Sequence, residues 1–375
     1  MKILIFNWRD IKNEWAGGSE VYIFELAKRW IKMGHTVTLF CGQDIQGMLP
    51  EEEVINGINV VRRGNRYTLY FWAFYYYITR FKNTFDLVID VQNGTPFFTP
   101  IYSRLPIICV VHHVHGKQFF YEFPFPLSYI GYIIERFIFP LFYKSVSIIT
   151  VSKTTRGELV KLGFNRKNIE IVYNGVNEKV KNGYSSLHKF SHPTILYLGR
   201  IKKYKRVDML IKIMPEILKS VPKAHLLIAG WGTEGTSVMD ISVRSGIRKR
   251  IKIIGTVSEK EKKYLLTRSW VFVNPSIGEG WGISVIEANM HATPAIAFKV
   301  SGLSESIQDG KTGLLVKSDD ELIKKVSHVL TDAKLRKNLS KNAQVWAKKF
   351  NWDSSANQSI KKIKKVVSKH KSVRY

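Results

Sequence analysis

Cysteine is nearly absent: Cys41 and Cys109 are the two in 375 residues. No Cys-x-x-Cys and no Cys/His zinc spacing occurs, which excludes a disulfide-stapled scaffold and a zinc ribbon. Each thiol falls in or beside a β-rich apolar run, as buried free cysteines do. Long apolar runs are also missing: no uncharged stretch reaches the roughly 18 residues of a membrane span. The nearest, residues 119–143, is interrupted by Glu122, Glu135, Arg136 and three prolines. The opening run, Met1–Asp10, is too short for a signal peptide and reads as a first strand. Acid is the third scarcity, with 30 Asp and Glu against 58 Lys and Arg, for a net charge of +28. Most of the excess lies after residue 180, and residues 361–375 (KKIKKVVSKHKSVRY) hold no acid. Such a balance fits a polyanionic partner (anionic lipid, nucleic acid or a phosphorylated substrate) or simply a solvated basic face. The expected location is cytoplasmic, peripheral on the inner face of the cell membrane.

What is present is globular. Hydrophobic residues make up 45% and charged residues 23%, and this length exceeds what one core usually spans. The fold class expected is α/β, with two doubly wound domains. Short Val/Ile-rich runs at Lys2–Phe6, Thr36–Phe40, Leu87–Val91, Ile107–Val111 and Ile148–Val151 alternate with helical patterns, as in a covered parallel sheet. A helix is expected from about Glu20, capped by Ser19, to Met33. The polar stretch Asn177–His192 reads as a linker. A second series follows at Thr194–Leu198, His225–Ala229, Lys252–Ile254, Val271–Asn274 and Ala295–Phe298. Two such domains would place a ligand cleft at the carboxyl ends of their strands.

Three groups of residues invite chemistry. After the strand ending at Asn274, a glycine-rich turn leads to a helix starting near Gly282, a geometry suited to a phosphate or diphosphate. Glu279 lies in that turn and Glu287 in the helix. Two carboxylates would be repelled by a phosphate, so they suit sugar hydroxyls, or are merely an exposed turn and a helix face. Arg200 and Lys205 follow the first strand of the second domain; an Arg fork and a Lys point charge would neutralise a diphosphate. His112, His113 and His115 end the strand before them, as metal ligands or as polar loop residues. Two aromatic stretches, Tyr67–Tyr77 and Phe119–Tyr143, are either core helix faces or a surface turned toward lipid.

The pair Glu279/Glu287, eight residues apart in a strand-to-helix turn, resembles the E-x7-E motif of the family 4 retaining glycosyltransferases, which have the GT-B fold. Gly17-Gly18-Ser19-Glu20 resembles the family's first glycine loop, and Asn174-Gly175-Val176-Asn177 its segment before the linker. Leu198-Gly199-Arg200 with Lys205 resembles the donor-phosphate pair. Ala229-Gly230-Trp231-Gly232 and Asp309-Gly310-Lys311-Thr312-Gly313-Leu314-Leu315 resemble two further turns, in family order.

The resemblance implies two Rossmann-like domains facing across a cleft. Residues 1–180, rejoined by a C-terminal helix 353–375, form the acceptor side, and residues 181–352 the donor side. It implies transfer of a sugar from a nucleotide diphosphate sugar to a hydroxyl acceptor, lipid-linked or a glycan precursor, with retention. Gly18, Arg200, Lys205, Gly232, Gly282, Ile283, Ser284 and Glu287 would bind the donor, and Glu279, His112, Arg200 and Lys205 would serve catalysis. A histidine is expected at the transferred sugar; His112 aligns best, with His113 its rival, and His113 and His115 otherwise face the acceptor. No cofactor is implied, the nucleotide sugar being a substrate. No metal is implied either: no Asp-x-Asp stands near a strand end, and Asp319-Asp320 reads as a solvated loop. Competing readings are a GT-B epimerase or phosphorylase, or a basic nucleic-acid binder, for which no motif is present.

Overall fold

The computed structural model describes residues 1–44, 46–176 and 188–373; residues 177–187 of the expected linker lie outside them. The chain forms two compact units, Met1–Gly175 with Trp352–Tyr375, and Val176–Asn351.

The first unit is built on eight strands: β1 Lys2–Phe6, β2 Thr36–Cys41, β3 Glu52–Ile55, β4 Ile58–Arg62, β5 Leu87–Gln92, β6 Ile107–Val111, β7 Ser147–Thr150 and β8 Ile169–Ile171. Their order is β3-β4-β2-β1-β5-β6-β7-β8. All neighbours run parallel except β3 and β4. Leu4 and Phe6 pack with the helix Leu69–Tyr76, while the alternating Ile3 and Ile5 are fully buried too. A strand buried on both faces reads as a continuous apolar run, which is why β1, β5 and β6 are legible in the sequence. The β3–β4 hairpin was not expected. It turns through Asn56 (φ 51°) and Gly57 (φ 85°), and an Asn-Gly pair between strands is the signal that identifies such a turn.

The second unit has six parallel strands: β9 Thr194–Leu198, β10 His225–Ala229, β11 Ile251–Gly255, β12 Val271–Asn274, β13 Ala295–Phe298 and β14 Gly313–Val316, in the order β11-β10-β9-β12-β13-β14. Ile195 and Tyr197 face one cluster, with helices Val207–Ser220 and Asp319–Thr331. Leu196 faces another, with helices Glu259–Arg268 and Ile283–Met290. The sheet is therefore covered on both faces, as the double winding requires. Asp319 and Asp320 are not in a loop: they open a helix capped by Ser318, and Asp319 pairs with Arg206 at 2.9 Å. Acids favour a helix's first turn because its N–H groups carry partial positive charge.

The first helix, Gly18–Lys32, starts two residues before its expected beginning. Gly17, not Ser19, is its N-cap, and the Gly17 N–H donates to Glu20 Oε2 at 2.7 Å. Its inner face meets the C-terminal helix Trp352–Val373, which belongs to the first unit. Trp30 is buried, and its indole N–H donates to Ser359 Oγ at 3.1 Å. Tyr22 donates to the Val172 carbonyl at 3.0 Å, and its ring meets Trp352 edge-on. Ser355 ties the same helix to the Tyr173 carbonyl at 2.7 Å. Trp30→Ala is expected to cost about 3–5 kcal/mol of stability through the cavity it leaves. Trp30→Phe should cost about 1–2 kcal/mol for its smaller ring and the lost hydrogen bond. Urea unfolding of both variants checks this; equal midpoints for wild type and Trp30→Ala would show that the helix pair contributes nothing.

Candidate active site

The order of each sheet fixes where a ligand site can form. In an open α/β sheet the crevice lies at the carboxyl ends of the strands where the winding reverses. In the second unit that point falls between β9 and β12. Gly199 and Arg200 follow β9, and Asn274 ends β12. Two backbone hydrogen bonds hold the β9 and β10 ends together: Gly199 N–H to the Ala229 carbonyl and Ile201 N–H to the Trp231 carbonyl, both 3.0 Å. Gly232 is required there, since a Cβ would come within 2.4 Å of the Ile201 carbonyl oxygen. Across the switch point, the Ile277 N–H donates to the Tyr204 carbonyl at 3.0 Å. That bond ties the turn carrying Glu279 to the turn carrying Lys205.

Lys205 and Glu279 consequently form an ion pair, both side chains largely buried. The same Glu279 oxygen accepts from Ser276 Oγ at 2.9 Å and faces Asn274 Nδ2 at 3.4 Å. Burial works against the charge on Lys205, but the Glu279 carboxylate outweighs it and holds the ammonium well above the usual lysine range. Tyr197 donates to the Arg200 carbonyl at 2.8 Å and fixes the start of this loop. Gly282, at φ 81°, caps the helix Ile283–Met290, a conformation other residues rarely take. Ile283 and Ser284 thus form the first helical turn, where N–H groups lack helical partners. Glu287, one turn further, pairs with Lys262 at 2.8 Å. The structure brings Arg200, Lys205, Gly232, Glu279, Gly282, Ile283, Ser284 and Glu287 to the carboxyl edge of one sheet. The sequence reading missed Ser276, Asn274 and Lys262, whose roles depend on contacts between strands.

In the first unit the switch point lies between β1 and β5. Asn7 after β1 and Asn93 after β5 meet there, with Nδ2 of Asn93 donating to Oδ1 of Asn7 at 3.2 Å. Gly18 opens the neighbouring helix and is exposed. Glu20, fully buried, pairs with Arg9 at 3.2 Å. Sequence reasoning gave Glu20 no role, although its position three residues after Gly17 is the capping-box spacing. His112 follows β6 and is buried, its ring edge-on to Tyr22 at 5.1 Å. Burial lowers its pKa to about 4, with the Glu20 charge opposing. The ring is neutral at pH 7, and its Nε2 has no partner among the described residues. His113 and His115 lie side by side, ring centroids 4.0 Å apart. His115 is fixed: its ring nitrogen lies 3.1 Å from Glu135 Oε1, and the Glu135 carboxylate also accepts the N–H groups of His115 and Gly116, at 2.8 and 2.6 Å. Among the described residues no three His, Cys, Asp or Glu side chains converge to hold a metal.

Comparison with known proteins decides the family. A model described as Glycosyltransferase Family 4 matches residues 16–180, and one described as Glycosyl transferases group 1 matches residues 185–346. The chain is a family 4 glycosyltransferase of the GT-B fold. It is 28% identical to an uncharacterized glycosyltransferase of Methanocaldococcus jannaschii, over 96% of this chain and 97% of the relative. It is 24% identical to the gpi3 subunit of the phosphatidylinositol N-acetylglucosaminyltransferase of Schizosaccharomyces pombe, over 84% and 70%. Among solved structures, sucrose-phosphate synthase from Thermosynechococcus elongatus superposes with a TM-score of 0.80 at 18% identity, covering 98% and 99% of the two chains. Anabaena HepE, in complex with UDP-glucose, superposes with 0.77 at 17%, covering 97% and 100%.

Burial of His112, which lowers its pKa, is expected to make the fold of this glycosyltransferase acid-sensitive. An unfolded histidine titrates near 6.5 and the folded one near 4, so the unfolded chain binds the proton first. The stabilisation from a neutral His112 is complete above about pH 6.5 and is lost as pH falls toward 4, an effect on the order of 2 kcal/mol at pH 4.5. His291, also lowered to about 4 by burial and then by the nearby Lys263, Lys189 and Lys262 charges, has the same sign. Denaturant unfolding at pH 7 and 4.5 tests this: His112→Gln should flatten the dependence, and an equal slope in the variant would contradict it.

Proposed function

We propose that this glycosyltransferase moves a sugar from a nucleotide diphosphate sugar to a hydroxyl acceptor with retention at the anomeric carbon and no catalytic metal. The observation that carries the reading is the Lys205–Glu279 pair at the switch point, beside Arg200 and the first turn of the helix Ile283–Met290. Cleavage of the donor leaves negative charge on the diphosphate. Arg200, Lys205 and the N–H groups of Ile283 and Ser284 supply positive charge that needs no reorganisation as the bond breaks. Glu279 neutralises Lys205 in the structure. When donor binds, the diphosphate takes over part of that role, and Glu279 is left to accept from sugar hydroxyls and to favour the positive charge that grows on the ring. Glu287 holds the ribose hydroxyls. Gly18 and Gly232 let the backbone come close to the donor.

On the acceptor side, His112 serves at the transferred sugar because its neutral ring keeps Nε2 available to a hydroxyl. His113 and His115 contact the acceptor. No side chain is assigned as a covalent nucleophile; the leaving phosphate takes the acceptor proton. The UDP-glucose held by Anabaena HepE supports a nucleotide sugar as donor. The inositol lipid in the name of the Schizosaccharomyces pombe relative supports a lipid-linked acceptor, which would be met at a membrane face.

Incubation with nucleotide sugars and alcohol acceptors in EDTA should release nucleoside diphosphate only when both are present, and NMR of the product should show the donor's anomeric configuration. Inverted product, or release that requires divalent metal, would overturn the mechanism. Arg200→Ala and Lys205→Ala should each lower kcat/KM by an amount worth about 2–4 kcal/mol. Glu287→Gln should mainly raise the donor KM, because ribose contacts persist from ground state to transition state, whereas Glu279→Gln should mainly lower kcat. Donor-saturation curves with calorimetric binding of the nucleoside diphosphate separate the two; the reverse pattern would exchange their roles.

A further inference from the structure

The first unit exposes far more aromatic surface than a helix packed on a sheet needs. The helix Leu69–Tyr76 continues as a wider turn, Tyr77–Phe81, and buries Leu69, Ala73, Tyr76 and Tyr77. Phe71, Phe74, Tyr75 and Ile78 are exposed, and their spacing of three, one and three puts them on one stripe. That stripe faces away from the core. A second helical stretch, Leu127–Tyr143, repeats the pattern. It buries Gly131, Glu135, Phe139 and Tyr143, and exposes Ile130, Ile133, Phe137 and Leu141. At 1.5 Å per residue this stretch is about 25 Å long. It leads back to a loop whose Phe125 is 80% exposed.

The two stripes are joined through the short helix Thr99–Tyr102. The Phe74 ring meets Tyr102 at 5.3 Å, and Phe98 meets Phe142 at 6.1 Å. Ile101 between them is exposed. They form one apolar band on one unit, larger than scattered surface hydrophobics require.

Exposed charge near the band is mostly basic, although Arg80, at the end of the first stripe, pairs with the exposed Glu52 at 3.1 Å. Between residues 64 and 144 the exposed charged side chains are arginine and lysine, with Asp86 the single acid. Glu135, within the second stretch, turns inward to the His115 loop, while Arg136 beside it faces out. The C-terminal helix adds to this. It buries Ile360, Ile363 and Val367 and exposes Lys361, Lys364, Lys365 and Lys369 on its outer face. Its end is anchored next to the band: His370 Nε2 lies 3.0 Å from the Arg104 carbonyl, two residues after Tyr102.

We propose that this band, flanked by the outer face of the C-terminal helix, docks on an anionic lipid bilayer. Aromatic side chains enter the interfacial layer, and the lysines meet the headgroups. A second copy of this chain would meet the same positive charge on itself, which disfavours self-association through the band. The proposal adds a surface and an orientation to the membrane-side acceptor reading above, and rests on that reading only for its purpose; vesicle binding is measured without any glycosyl transfer.

The test is co-sedimentation of the full chain with phosphatidylcholine vesicles, alone and with phosphatidylglycerol. Binding should be strong to the mixed vesicles, weak to the neutral ones, and should fall with salt. Neutralising three lysines (Lys364→Gln, Lys365→Gln, Lys369→Gln) should weaken binding to mixed vesicles on the order of 100-fold. Phe71→Ser with Leu141→Ser should weaken it about tenfold or more, since roughly 0.8 kcal/mol is lost per buried methylene. All these positions are exposed, so thermal unfolding should be unchanged. Transfer to a water-soluble acceptor should also be unchanged, which separates loss of docking from failure of the proposed reaction. Equal binding to both vesicle types, no binding, or variants that bind like wild type would overturn the proposal. So would a wild-type dimer in analytical ultracentrifugation that Phe71→Ser with Leu141→Ser converts to monomer.

Discussion

The buried contact between Lys205 and Glu279 is the interaction around which the second unit is arranged. Taking both charges out of water is costly, and their attraction offsets that cost only if the geometry is held and the remaining lone pairs are satisfied. Ser276 and Asn274 meet that need on the carboxylate side. The backbone bond from Ile277 to Tyr204 holds the two turns in register. That bond exists because β9 and β12 are neighbours at the reversal of the sheet.

The first unit solves a related problem with a neutral group. His112 is enclosed by Tyr22 and lies near the buried Glu20, yet burial dominates and the ring stays uncharged. Glu20 is compensated elsewhere, by Arg9 and by the N–H of Gly17. The same carboxylate thus starts a helix, neutralises an arginine and sets the field at a histidine. The loop after β6 is held by Glu135 in a comparable way, one carboxylate accepting two backbone N–H groups.

Three carboxylates of that unit are withdrawn from its surface. Its carboxylates at Glu20, Asp90 and Glu135 point inward to hydrogen-bonded positions. The arginines and lysines near the aromatic stripes stay outside.

The sequence by itself determined the fold class and most of the strands, since strands buried on both faces must be continuous apolar runs. It also placed the ends of those strands to within a residue, and gave the order of glycine turns that carries the family resemblance. It did not determine the β3–β4 hairpin, whose Asn56-Gly57 turn was legible but lay in a charged, half-exposed segment. Nor could it choose between a core and a surface role for the aromatic stretches. Both stretches turned out to do both, with Tyr76 and Tyr77 inside and Phe71 and Phe74 outside. Only the tertiary structure decided that Glu279 meets Lys205, that Glu287 meets Lys262 and that Glu20 lies near His112. Each of these pairs is far apart in the chain or on different elements. Their meeting depends on strand order, and strand order follows from which helices cover which face rather than from any local pattern.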